Sequence, residues 1–306
     1  MKKIAPNIYA STEYPGVNVG LIVMPEGAIA VDAPTLPHDA RAWRQQIAET
    51  ARVPLLYVVL TDGHPDRLLS AGILAGSEEV PSASDGTSAS GQASSAGSEQ
   101  APIVAARAVY NRASVYTDGF WRSVVEGWAR RYPEAVDDLV GRRGALPEIM
   151  FTSGLTLHKG GIDVTVKHIA GAGPGSAWIR LPEQDVLFVG DTLVVGSPPI
   201  LAVAPDTKAW MNTLTVLRRP SFSKTTIVPG RGPLCDQAAT LPVSEYLALA
   251  RRRVRLLHTT EQARPDMATV ATEMLSLLSV PEDEYDLVHR RIKVGLDRLY
   301  EKLRPE

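Results

Sequence analysis

Four short segments hold the residues on which chemistry could rest. They are Asp62-Gly63-His64-Pro65-Asp66-Arg67, Gly171-Ala172-Gly173-Pro174-Gly175-Ser176, Gly190-Asp191-Thr192 and Pro229-Gly230-Arg231-Gly232-Pro233. Each follows an apolar run of strand type, and loops at strand ends are where chemistry is most often grafted onto a fold. Asp62, Asp66 and Asp191 offer carboxylate oxygens and His64 an imidazole nitrogen, donors that suit a hard divalent ion or proton transfer. Arg67 and Arg231 are different. A guanidinium stays protonated in proteins and has no lone pair for a cation, but it pairs strongly with acids.

The elements that must carry these loops follow from the hydrophobic pattern. Val17 to Met24 and Ala28 to Val31 are β-rich runs separated by Pro25-Glu26-Gly27, which predicts a hairpin. Ala40, Trp43, Ile47 and Ala51 recur at helical spacing over 39–50. Residues 54–60 form a continuously apolar strand of the kind buried on both faces, and Pro65 suits the first turn of a helix running on through 68–74. Residues 103–106 resume the sheet, and 111–146 are helical but irregular. There Phe120, Trp121, Val124, Val125 and Trp128 make an apolar face that reads as packing. Further strands are expected at 155–157, 162–166, 177–181, 186–189 and 225–228, with a helix at 207–217. The tail, 237–306, repeats apolar positions at helical spacing. Residues 77–100 are rich in Ser, Ala and Gly and lack aromatics, a composition that cannot offset its ordering entropy, so a flexible surface insertion is expected.

Composition excludes several function classes. The chain has 306 residues, 44% of them hydrophobic, and 32 basic residues against 34 acidic. That balance gives no electrostatic footprint for nucleic acid and no polybasic membrane surface. Cys235 alone cannot form an internal disulfide, which fits a reduced compartment. No secretory signal or membrane span is visible, so a cytoplasmic protein is expected.

Taken in order, the motifs resemble those of the metallo-β-lactamase fold superfamily. Its first motif, His-x-His-x-Asp-His, aligns with Asp62, His64, Asp66 and Arg67. Its Gly-His-Thr-Pro-Gly-Ser turn aligns with 171–176, its Leu-Phe-x-Gly-Asp strand end with 187–191, and its Pro-Gly-His-Gly-Pro with 229–233. The resemblance implies an αββα sandwich over residues 1–236 with a C-terminal helical extension over 237–306. It also implies seven ligands for two metal ions, of which His64, Asp66 and Asp191 are retained. Asp62 could still ligate through oxygen, while Arg67, Ala172 and Arg231 could not. Asp32 falls where the family keeps a supporting aspartate.

Two functions are then open. In the first, the binuclear site is degenerate, hydrolysis is lost or much reduced, and no cofactor is held. Arg67 and Arg231 would replace metal charge with salt bridges to Asp66 and Asp191. The pocket would take an anionic small molecule between those arginines, or the chain would serve a protein partner. In the second, Asp62, His64 and Asp191 hold one ion (Mn, Fe, Mg or Zn). The protein would then cleave an ester, thioester, lactone or phosphoester bond, with Asp66 as the catalytic carboxylate. The C-terminal helices suggest a lid or a homodimer contact.

Overall fold

The computed structural model describes residues 1–77, 100–259, 266–278 and 280–303. All but the two end residues of the expected insertion at 77–100 therefore lie outside the described residues. The chain opens with four strands, β1 (Lys2–Ala5), β2 (Ile8–Ser11), β3 (Val19–Met24) and β4 (Gly27–Val31), joined antiparallel in sequence order. Helix α1 (Pro37–Ala51) then crosses to β5 (Leu55–Val59). The short helices α2 (Pro65–Leu68) and α3 (Ala71–Ala75) precede β6 (Ile103–Ala106). After α4 (Arg107–Ala113), α5 (Asp118–Arg131) and α6 (Val136–Leu139), β7 (Ile149–Phe151) completes a seven-stranded sheet in the order β1 to β7, parallel from β4 onward.

The second sheet has five strands. They are β8 (Gly154–Lys159), β9 (Ile162–His168), β10 (Ala177–Leu181), β11 (Val186–Val194) and, after α7 (Thr207–Leu217), β12 (Thr226–Arg231). Their order is β12-β11-β10-β9-β8, with only the β11–β12 pair parallel. Helices α8 (Thr240–Thr259), α9 (Ala268–Leu275) and α10 (Tyr285–Lys302) close the described chain.

The layers can be read from side-chain alternation, since successive residues of a strand face opposite sides. On β11, Val186 and Phe188 join the core shared with the first sheet, whereas Leu187 and Val189 join a second core with Trp210 of α7, Leu247 of α8 and Leu296 of α10. On β10, Ile179 and Leu181 face the first core and Trp178 the second. All nine residues of β11 are buried, as expected of a strand covered on both faces. The C-terminal helices thus cover the outer face of the second sheet. Trp43 and Ile47 of α1, together with Leu74 of α3, belong to the first core. This is an αββα sandwich.

Most expected elements are present, with three differences. The hairpin β1–β2 and strand β7 were not expected. They are edge pieces of four, four and three residues, too short to show a period. The helix expected to run from Pro65 through Leu74 is broken into α2 and α3 at Leu69-Ser70, where Ser70 donates its hydroxyl to the Thr35 carbonyl. Strand β5 is half-buried over Leu55–Tyr57 and fully buried only at Val58 and Val59.

Phe188 is 2% exposed in the core between the sheets. Phe188→Ala should cost about 3–5 kcal/mol of folding free energy, the usual effect of emptying an aromatic site, and urea denaturation would measure it.

Candidate functional site

The site is built where β4, β5, β11 and β12 end. Strand β4 runs into Asp32, whose backbone is left-handed at φ 56°. That turn brings its carboxylate back onto the end of β5: Oδ1 accepts the Thr61 amide at 2.8 Å and Oδ2 the Thr61 hydroxyl at 2.6 Å. Asp62 follows, with Oδ1 accepting the His64 amide at 2.9 Å. His64 then starts α2, its Nδ1 accepting the Asp66 amide at 3.3 Å. With Pro65 at the first helical position, one turn suffices to carry Arg67 inward. On the second sheet Gly190 holds φ 54°, and a Cβ there would stand 2.4 Å from the Thr61 hydroxyl. Only glycine lets β11 approach β5 closely enough to set Asp191 beside Asp62.

Arg67 is wholly buried and occupies the middle of this cluster. Its Nε donates to Asp32 Oδ2 and to Thr61 Oγ1, both at 3.1 Å. Nη1 donates to Asp62 Oδ1 at 3.3 Å and to Asp191 Oδ2 at 3.1 Å, and Nη2 donates to Asp191 Oδ1 at 2.7 Å. The contact to Asp191 is the two-pronged pairing in which a guanidinium is strongest. Arg231 covers the same carboxylate from the end of β12. Its Nε lies 3.2 and 3.3 Å from the two Asp191 oxygens, and its Nη2 donates to Asp66 Oδ2 and Asp191 Oδ2 at 3.1 Å each. The other Asp66 oxygen accepts the Trp128 indole N–H at 2.9 Å. Asn18 anchors the Arg231 loop, donating to the carbonyls of Pro229 and Gly232.

The electrostatics divide the four acids into two pairs. Burial pushes Asp191 up, but Arg231 and Arg67 outweigh it and hold this carboxyl far below the usual range. Burial likewise opposes ionisation of Asp66, but His64, Arg231 and the Trp128 indole bring it down to about 2. Asp32 and Asp62 shift the other way. Burial raises both beyond what Arg67 offsets, and Asp191 adds to the rise at Asp62. Two guanidiniums cannot neutralise four buried carboxylates, and the excess falls on the two acids that only Arg67 touches. Burial also lowers His64, favouring a neutral ring whose Nδ1 lies 3.4 Å from Arg231 Nη2.

Asp32, Asp62, His64, Asp66, Arg67, Asp191 and Arg231, all singled out by the sequence, come together in one contact network. The pairing differs in part from the expectation. Arg67 pairs with Asp32, Asp62 and Asp191 rather than with Asp66, which is Arg231's partner. Ala172 lies beside the network, in the wall of a cavity of about 230 Å³ that also reaches Asp62, His64 and Asp191. An anion held between Arg67 and Arg231 is not compatible with this geometry, because Asp191 already fills that space and Arg67 has no exposed surface. Among the described residues, no group of three or more His, Cys, Asp and Glu side chains is arranged to hold a metal ion.

Several residues of the site carry no signal in the sequence. Trp128 reads as packing because its indole nitrogen is invisible to periodicity. Tyr116, Phe120 and Arg291 line the cavity from α5 and its approach and from α10, far from any motif. Cys235 remains apart, its thiol pushed up to about 12 chiefly by burial, as suits an inert group. Among the described residues, no helix is long and apolar enough to cross a membrane.

Two packed sheets with helices on both outer faces, and a polar cluster at their strand ends, define a class, the αββα sandwich of metallo-β-lactamase type. A family model for the metallo-beta-lactamase superfamily matches residues 15–231, and the chain belongs to that superfamily. Among solved structures, a metallo-beta-lactamase family protein from Thermus thermophilus is 17% identical with a TM-score of 0.63, covering 98% of this chain and 94% of that one. A beta-lactamase domain protein from Burkholderia ambifaria is 16% identical with a TM-score of 0.62, over 98% and 86%. The stereoselective inverting sec-alkylsulfatase Pisa1 from Pseudomonas sp. is 14% identical with a TM-score of 0.66, over 98% of this chain but 49% of that one. At such identities the likeness is one of fold. No curated protein matches in sequence.

Two outcomes follow from the network. Arg67→Met should destabilise the protein by about 3–5 kcal/mol, because it strands buried carboxylates, and denaturant unfolding would read the loss. The pH dependence has two limbs. Asp32 and Asp62 bind protons more readily folded than unfolded, so their contribution rises as pH falls through their raised values, while His64, lowered in the folded state, opposes it as pH falls through its unfolded value of about 6.5. Asp66 is depressed to about 2 in the folded state, so its contribution is present above its unfolded value of about 4 and is lost as pH falls toward 2. Urea midpoints should therefore decline below about pH 4, with a shallower decline in Asp66→Asn.

Proposed function

We propose that this chain is a metallo-β-lactamase-fold protein in which two arginines stand in for the metal ions, and that its cavity binds a small molecule without metal-dependent hydrolysis. The observation that carries this reading is Asp191. The superfamily resemblance gives it the part of bridging ligand, yet both its oxygens accept hydrogen bonds from Arg67 and Arg231. The residues present do not fit a divalent ion. The guanidiniums fill the space between the acids and would repel it, and Ala172 offers no donor.

A single-ion site fares no better. Asp62 Oδ1 is engaged by Arg67 and the His64 amide, and His64 Nδ1 is turned toward the Asp66 amide and Arg231. Both Asp66 oxygens are also taken, one by Trp128 and one by Arg231, which argues against Asp66 as a general base. What is left of a metallo-hydrolase cleft is its shape. A mostly apolar cavity beside a hydrogen-bonded polar floor is suited to ligand binding.

Metal analysis of protein purified without chelator should find well under one equivalent of zinc, manganese or iron. A panel of ester, thioester, lactone and phosphoester substrates should show no turnover that chelator abolishes. The combined variant Asp62→His, Arg67→His, Ala172→His and Arg231→His should acquire metal, since neutral imidazoles are good ligands for zinc. Stoichiometric metal in the parent protein would refute the proposal.

A further inference from the structure

The cavity near Ala172 has four charged side chains in its lining: Asp62, Asp191, Arg112 and Arg291. The two acids are not free to meet a ligand cation. Asp191 is matched by two guanidiniums, and burial drives Asp62 toward its neutral form. The two arginines are in the opposite position. Arg112 is exposed and lies over the Tyr116 ring at 5.5 Å. Arg291 is only partly exposed, and among the described residues it has no ion-pair or hydrogen-bond partner. Burial, Arg231 and Arg131 work against its charge, and Asp66 and Asp191 offset this only in part. A half-buried cation with no directly paired acid is costly to keep.

The packing of α10 fixes Arg291 at the cavity. Arg291, Gly295, Arg298 and Lys302 fall at spacings of four, three and four on this helix, one stripe of its surface. Gly295 is buried against Leu201, and a Cβ there would come within 2.9 Å of the Leu201 Cβ. Lys302 donates its ammonium to the Ala204 carbonyl. The helix is therefore docked onto the 200–204 segment, which forms another wall of the same cavity through Ile200, Ala202 and Val203. Tyr116 and Phe120, stacked on each other with ring centroids 3.9 Å apart, also line it. Arg298 and Arg112 are close enough to Lys302 to disfavour its charge, so the surroundings add further positive groups.

We infer that Arg291 recognises the head group of a small amphipathic monoanion, whose apolar body lies between Tyr116, Phe120, Ile200 and Val203. The head group is an oxyanion of carboxylate or phosphonate type, for which the planar guanidinium fork is built. The volume of about 230 Å³ is below the usual range for drug-sized ligands, so the body is short. This inference rests on the reading that the cavity binds rather than hydrolyses.

The test is isothermal titration of the full chain, in chelator-treated buffer, with octanoate, octylphosphonate and octan-1-ol. At least one of the two anions should bind about tenfold or more tightly than the alcohol, the gain expected of a charge-assisted hydrogen bond, and the better one identifies the head group. Arg291→Gln should remove that preference while leaving octan-1-ol affinity unchanged, and Arg291→Lys should restore part of it. Val203→Trp, which fills the apolar wall, should weaken all three probes. Anions bound no better than the alcohol, an anion affinity indifferent to Arg291→Gln, or no saturable binding of either anion would overturn the inference. None of these outcomes touches the metal-free reading, which fails separately, on metal content and chelator-sensitive turnover.

Discussion

The structure depends on one buried guanidinium. Arg67 is wholly enclosed, and it reaches acids from the ends of β4 and β5 on one sheet and from β11 on the other. An unpaired charge in such a place is among the largest single penalties a fold can carry, and so is each acid without its arginine. The pairing therefore dictates register. Strand β5 must lead into Thr61-Asp62, β11 must present Asp191 at that height, and Gly190 must allow the two to approach.

Much of this was open to reading from the residues. The apolar runs, their turn signals and the helical tail define two sheets and a C-terminal helical layer. The four loops place the acids and arginines together only through the superfamily resemblance, because no local pattern says that Asp62 and Asp191 meet. The pairing partners were less accessible. Arg67 stands one position from Asp66 in the chain but bonds to Asp62, five positions away, and to Asp191, 124 positions away. Which carboxylates a guanidinium touches depends on its rotamer and on the twist between sheets. Trp128 illustrates a second limit. Its apolar bulk follows the helical period, while its one donor, which holds Asp66, leaves no trace in that period. Arg291 illustrates a third: a cation on a helix face reads as solvated until its helix is known to dock, through Gly295, on the segment with which it lines a cavity.

On the proposed reading, an arginine in place of a metal changes more than charge count. A divalent ion is exchangeable, polarises bound water and tolerates several donor geometries. A guanidinium is covalently part of the chain, planar and limited to donating hydrogen bonds. The exchange keeps Asp66 and Asp191 paired and the cleft shaped, but leaves no Lewis acid to activate water. Two monovalent groups offset less charge than two divalent ions would, and burial leaves Asp32 and Asp62 raised while Arg231 and Arg67 hold Asp191 depressed.

The distance along the chain between Arg67 and Asp191, 124 residues, has a consequence for synthesis. A ribosome that has extruded the first sheet has delivered Arg67, Asp32 and Asp62, but neither the carboxylate that best pairs with Arg67 nor the strand carrying it. The nascent first half holds an incompletely matched charge cluster and an uncovered apolar face, both of which disfavour a stable half-molecule. Completion of the sandwich is thereby tied to translation of β11 and, 40 residues later, of Arg231.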